Sequence, residues 1–68
     1  MQYVIVIEKG SRNYSAYVPD LPGCVAAGDT VAEVTELMRG AIKMHIEGLL
    51  EDGIAVPPPT SSVEYIAA

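Results

Sequence analysis

The sequence predicts an α+β domain of element order β-β-β-α-β, with one helix on one face of a sheet of strand order 3-2-1-4. Three observations support this prediction. The chain opens with a run of β-branched residues, and a second extended run ends at a corner that contains two prolines and a glycine. After Thr30 the apolar residues recur with the period of a helix. Together these signals predict a small domain in which one helix packs on one sheet.

The length and composition predict one domain that associates with itself. A chain of 68 residues, half of them hydrophobic, is enough for a single domain, which we expect to span residues 1–68. Its one cysteine, Cys24, rules out an internal disulfide. Because a core of this size contributes little stability, we expect a homodimer or a higher homo-oligomer.

The charge balance is acidic, with a net charge of -5 and only four Lys and Arg residues. The lack of a basic stripe argues against direct nucleic-acid binding. An acidic surface favours a basic protein partner, although mild acidity also serves solubility alone. The sequence has neither a signal-peptide pattern nor an apolar run long enough to span a membrane, so we expect a cytoplasmic protein.

The first half of the chain predicts an antiparallel meander. Tyr3–Ile7 is aromatic and β-branched, which predicts a central strand buried on both faces. The polar residues 8–13 form a hairpin loop, and Tyr14–Val18 returns as the second strand. Strand alternation places Tyr17 on the face opposite to that of its two neighbours. Cys24–Ala27 is the predicted third strand.

A corner at residues 19–23 separates the second strand from the third. Its two prolines lack N–H groups, so the strand ladder cannot continue through it, and Gly23 lets the chain re-enter an extended run. Between the prolines, Asp20 has the character of a turn residue that accepts backbone N–H groups.

The residues from Val31 to about Asp52 predict an amphipathic helix. Thr30 and Glu33 form a capping box at its start, and Gly53 suits its end. One face of the helix is apolar and should pack on the sheet; this face contains Val34, Leu37, Met38, Ala41, Ile42 and His45.

The residues after the helix predict a return to the sheet. Prolines 57–59 keep the chain extended, and a stiff return path is favoured over an SH3-type ligand. Val63–Ile66 is then the predicted last strand, and a right-handed crossover sets it parallel to the first.

No set of residues predicts catalysis. His45 is the only histidine, and it lies on the apolar face of the helix without a nucleophile beside it, so a structural role is favoured. Cys24 has no neighbouring base or cation to activate it. The sequence also lacks converging acids, a phosphate-binding glycine loop and metal-ligand spacing. We therefore predict no catalytic residue, no cofactor and no metal site.

Three motifs resemble the HicB family of antitoxins, and the resemblance extends over nearly the whole chain. They are Tyr-Val-Pro-Asp-Leu-Pro-Gly-Cys at 17–24, Gly-Asp-Thr at 28–30, and His-Ile-Glu-Gly-Leu-Leu-Glu-Asp-Gly at 45–53. The resemblance implies a partial ribonuclease H-like fold. It also implies a HicA-like toxin as partner, a small basic mRNA interferase with a double-stranded-RNA-binding fold and a catalytic histidine.

The chain departs from the family pattern at two points. Many members carry a C-terminal DNA-binding domain, whereas we expect none in a chain that ends at Ala68. Active ribonuclease H enzymes place a metal-binding acid in the first strand, and Tyr3–Ile7 has none. We therefore expect no nuclease activity.

The favoured function is an antitoxin that covers the active site of a basic ribonuclease. Tyr17 and Leu21 would act as anchors and Asp20 as a charged contact. In the competing interpretation Tyr17 is only a sheet residue and Asp20 only a turn residue. Two alternatives are a solitary oligomeric HicB-like protein with another ligand, and a minimal nuclease or a hydrolase that uses His45. The missing acids argue against the second alternative.

Overall fold

The computed structural model describes residues 1–68 as three antiparallel strands followed by one helix. The elements are β1 (Val6–Lys9), β2 (Tyr14–Tyr17), β3 (Val25–Gly28) and α1 (Val31–Glu51). The strands lie in the order β1-β2-β3 within one sheet. The predicted α+β class, the meander and the single helix are confirmed.

The corner between β2 and β3 turns through backbone hydrogen bonds. The Leu21 N–H donates to the Val18 carbonyl at 3.1 Å, and the Cys24 N–H donates to the Leu21 carbonyl at 3.1 Å. Gly23 has φ = +84°, a conformation that a side chain would strain. These bonds fold the corner inward, and Leu21 is fully buried as a result.

Both predicted ends of α1 are confirmed. The Glu33 N–H donates to the Thr30 hydroxyl oxygen at 3.0 Å, which satisfies one of the free amides at the start of the helix. At the other end Gly53 has φ = +69°, and the Ile54 N–H donates back to the Leu49 carbonyl at 2.9 Å.

The core lies between α1 and the inner face of β2 and β3. Its buried apolar members are Ala16, Val18, Leu21, Cys24, Val34 and Met38. The prediction for Leu37 was wrong, because this side chain is 46% exposed. It lies about 100° around the helix from Met38, since successive residues advance by that angle, and this turns it to the flank of the helix. His45 is half-buried.

The predicted fourth strand is absent from the sheet. Val63–Ile66 forms no ladder with β1 and lies exposed, so β1 is an edge strand and not a central one. The chain reaches this segment along a path fixed by two side chains. The Tyr3 hydroxyl donates to the Pro57 carbonyl at 2.6 Å, and Asp20 binds Ser61. Val63–Ile66 has the composition of a strand, but on that path it does not pair with an edge of the sheet.

Candidate partner-binding surface

The face of the sheet that points away from α1 is not covered by any other element. Side chains alternate between the two faces along each strand. Ala16 and the residues paired with it in β1 and β3 point into the core, so the residues beside them point to the uncovered face, which we call the outer sheet face. The outer sheet face consists of Val6, Glu8, Ser15, Tyr17, Val25 and Ala27.

An apolar row crosses the outer sheet face. Val6 pairs with Tyr17, and Tyr17 pairs in turn with Val25, so the three side chains are neighbours across three strands. Tyr17 is 41% exposed and Val25 is 64% exposed. Contiguous exposed apolar side chains mark interaction sites, and tyrosine is enriched among the residues that dominate binding energy. The apolar row is therefore the best candidate for a protein contact.

A carboxylate borders the apolar row on one side. Glu8 pairs with Ser15, which pairs with Ala27, and this second row lies on the same face as the first. Glu8 is exposed and lies two positions along β1 from Val6. A central apolar patch with a charged border is typical of protein interfaces, in which the rim charges guide association.

Asp20 fastens the C-terminal segment (residues 54–68) to the corner. Its carboxylate accepts the Ser61 N–H at 3.0 Å, the Ser61 hydroxyl at 2.9 Å and the Thr60 hydroxyl at 3.1 Å. The bond from the Ser61 N–H is the main reason that the pKa of Asp20 lies below its ordinary value; it outweighs a partial desolvation that acts in the opposite direction. Asp20 therefore has a structural task beyond the corner itself.

The three residues proposed from the sequence do not form one exposed cluster. Tyr17 is exposed at the centre of the apolar row, and Asp20 lies at the corner bound to the C-terminal segment. Leu21 is fully buried, so its side chain presents no surface to a partner in this conformation. Its place in the core gives it the task of holding the corner on α1.

Sequence reasoning missed Val25, Thr60 and Ser61. Val25 could have been found by extending strand alternation across the predicted register, because it lies opposite Tyr17. No pattern in the sequence joins Ser61 to Asp20, which precedes it by 41 positions.

The structure places Cys24 in the core, and His45 is half-buried on α1. Cys24 is almost fully buried, and this burial raises the pKa of its thiol. No group of three or more His, Cys, Asp and Glu side chains is arranged to hold a metal ion. α1 is not apolar enough to cross a membrane.

Comparison with known proteins gives a consistent result. The family model described as "HicB_like antitoxin of bacterial toxin-antitoxin system" matches residues 3–68. A 14.9 kDa protein from the rep-hol intergenic region of Haemophilus phage HP1 is 46% identical over 66 residues, which cover 97% of this chain and 50% of that protein. A UPF0150 protein of Helicobacter pylori is 36% identical over 58 residues, covering 85% of this chain and 81% of the relative. The chain thus spans about half the length of its phage relative.

A solved structure has the same fold. A chain in a structure described as a HicA3 and HicB3 toxin-antitoxin complex matches with a TM-score of 0.75 and 37% sequence identity. The match covers 87% of this chain and 70% of the other. The family model extends over all the residues that form the sheet, the corner and α1. The chain belongs to the HicB-like antitoxin family.

Proposed function

We propose that this chain neutralises a HicA-like toxin, a small basic ribonuclease, by binding it through the outer sheet face. The observation that carries the proposal is the apolar row of Val6, Tyr17 and Val25, on the sheet face that α1 leaves uncovered. Tyr17 and Val25 are exposed in this row, and Val6 is half-buried. The similar solved structure, a complex of HicA3 with HicB3, supports a partner of this class.

The charge of the chain suits such a partner. A net charge of -5 attracts a basic protein over several ångströms and raises the rate of encounter. Glu8 at the border of the outer sheet face places one of these charges beside the apolar row. Attraction of this kind brings the partner to the surface, and burial of Tyr17 and Val25 then holds it.

Each residue proposed for binding has a separate role in this complex. Tyr17 is the central anchor, because it offers a large exposed ring with few rotatable bonds. Asp20 acts at the border through its negative charge while it continues to hold the C-terminal segment. Leu21 contributes indirectly by holding the corner, since its own side chain is buried.

In this proposal the chain binds a nuclease without being one. Glu8 is the only acid in β1, and it does not belong to any group of side chains arranged to hold a metal ion. The partner degrades mRNA, so the two proteins would meet in the cytoplasm.

Co-expression with the product of the adjacent reading frame tests the proposal. The toxin should arrest growth, and the wild-type chain should restore it and co-purify with the toxin. Val25→Asp should abolish both effects, because it places a charge in the buried centre of the interface. Met44→Asp is a matched control, since Met44 is an exposed apolar residue on α1.

Two results would contradict the proposal. One is full neutralisation by a folded Val25→Asp protein, which would place the interface elsewhere. The other is failure of the wild-type chain to bind any basic ribonuclease encoded beside it, which would favour a solitary protein with another ligand.

A further inference from the structure

The end of the C-terminal segment stands free of the domain. The hydrogen bonds that tie the segment down involve Pro57, Thr60 and Ser61, and residues 62–68 are all exposed beyond them. Tyr65 is 95% exposed. The radius of gyration is 13.1 Å, whereas a compact chain of this length has a radius of about 11 Å. A projecting segment accounts for such a difference.

The free part has the composition of a strand. Val63, Tyr65 and Ile66 are β-branched or aromatic, the residue types that are enriched in sheets. Val63 and Tyr65 would share one face of a strand, and Ile66 would lie on the other. An extended apolar segment of this kind gains stability when it joins a sheet edge, where it makes main-chain hydrogen bonds and covers apolar side chains.

The same chain has an open edge that fits this segment. β1 pairs only with β2, so the N–H and C=O groups along its other side have no strand beside them. The residues that lead into β1 line an open groove of about 670 Å³ together with α1. Half-buried apolar side chains in its lining include Tyr3, Ile5 and Ile42.

We propose that Val63–Ile66 of one chain adds as a fourth strand to the β1 edge of a second copy, and that the second copy reciprocates. In the single chain the apolar segment and the β1 edge are both unpaired. In a two-fold dimer the segment of each copy pairs with the β1 edge of the other, so both β1 edges are paired by the same type of contact. The hydrogen bond to Asp20 holds Ser61 at the corner, so the exchanged strand would begin just after a residue that is fixed to its own domain.

The exchanged strand would bury apolar side chains on both of its faces. Val63 and Tyr65 would cover the groove beside β1, and Ile66 would extend the apolar part of the outer sheet face. The assembly goes beyond toxin binding and does not depend on it, because it uses an edge of the sheet and not the apolar row at its centre.

Light scattering after size-exclusion chromatography tests the exchange on the full chain. The wild type at high micromolar concentration should have twice the chain mass of 7.2 kDa. Tyr65→Asp should be monomeric, because it would bury an unpaired charge in the groove. Ala68→Asp adds the same charge three positions further on and should stay dimeric. The helical circular dichroism signal should be equal in all three proteins, because Tyr65 and Ala68 are exposed in the single chain and do not belong to its core.

Amide hydrogen exchange on the same samples completes the test. In the dimer the amides of Val63–Ile66 and those that point outward from the open edge of β1 should be protected, and both sets should lose protection together in Tyr65→Asp. The β1 amides that face β2 should stay protected in every variant. A monomeric wild type overturns the proposal, whether its segment is unprotected or is protected by closure on its own β1. A dimer that survives Tyr65→Asp also overturns it, because another surface would then hold the copies together.

Discussion

The carboxylate of Asp20 accepts the backbone N–H of Ser61 at 3.0 Å, which joins the corner to a residue 41 positions further along the chain. This contact has a counterpart in the Tyr3 hydroxyl, which donates to the Pro57 carbonyl at 2.6 Å. Together they hold a proline-rich segment that belongs to no helix or strand. The order of the C-terminal segment therefore depends on a few polar contacts and can be perturbed selectively.

Replacing Asp20 by Ala should release the C-terminal segment while the sheet and α1 persist. The hydroxyl and amide groups of Thr60 and Ser61 would lose their acceptor and turn to water. Nuclear magnetic resonance relaxation of the Ser61 amide should show increased fast motion. Asp29→Ala, which removes an exposed acid from the neighbouring turn, is the control. Unchanged Ser61 dynamics in Asp20→Ala would mean that the prolines alone order the segment.

The same contact predicts a dependence on pH. The pKa of Asp20 lies below its ordinary value of 3.8, so its carboxylate stabilises the folded state fully above that value. The contribution is lost as the pH falls through the lower value that Asp20 has when folded. The Ser61 amide shift should therefore titrate below pH 3.8. A titration midpoint above 3.8 would contradict the lowered pKa.

Met38→Asp should unfold the domain, whereas Leu37→Asp should leave it folded. Met38 is fully buried against the sheet, and an unpaired charge there costs several kcal/mol, a large part of the stability of any small domain. Leu37 is the adjacent residue and is 46% exposed, so the same substitution keeps its carboxylate in water. Thermal unfolding followed by circular dichroism compares the two. Equal melting temperatures would show that the core is not where the structure places it.

Cys24 should react slowly with thiol reagents in the native protein. Its side chain is almost fully buried, and the raised pKa reduces the reactive thiolate further. Alkylation by iodoacetamide should become fast only in denaturant, where the thiol regains the pKa and access of a free cysteine. Rapid native modification at neutral pH would imply that the corner opens.

Tyr17→Ala should weaken toxin binding by roughly thirtyfold, which corresponds to the ~2 kcal/mol typical of a central anchor. Raised salt should instead slow association without abolishing the complex, because it screens the acidic border. Surface plasmon resonance separates the two effects into dissociation and association rates. If Tyr17→Ala remains folded and binds as tightly as the wild type, the apolar row is not the interface.

Local signals in the sequence predicted much of this fold. The N-cap at Thr30 and the corner around Gly23 were predictable because each is decided within a few residues. The place of Leu21 was not, because a corner residue becomes core only when its turn folds back on a helix. Whether Val63–Ile66 joins the sheet depends on whether a free strand edge lies beside it, and strand propensity alone does not specify that edge.

The candidate site was predictable in part for the same reason. Strand alternation correctly placed Tyr17 on the face opposite to the core residue Ala16. Its neighbour Val25 follows only from the register of β2 with β3, which a sequence without its pairing does not supply. The contact of Asp20 with Ser61 is a tertiary event between two short polar stretches, and nothing in either stretch indicates the other.

All the buried apolar residues fall between positions 16 and 38, within one continuous part of the chain. Bringing them together closes only short loops, so the entropic cost of forming this core is small. Proteins dominated by such local contacts fold quickly. We therefore expect folding to begin with β2, the corner and the first half of α1, and β1 and the C-terminal segment to dock on this nucleus afterwards.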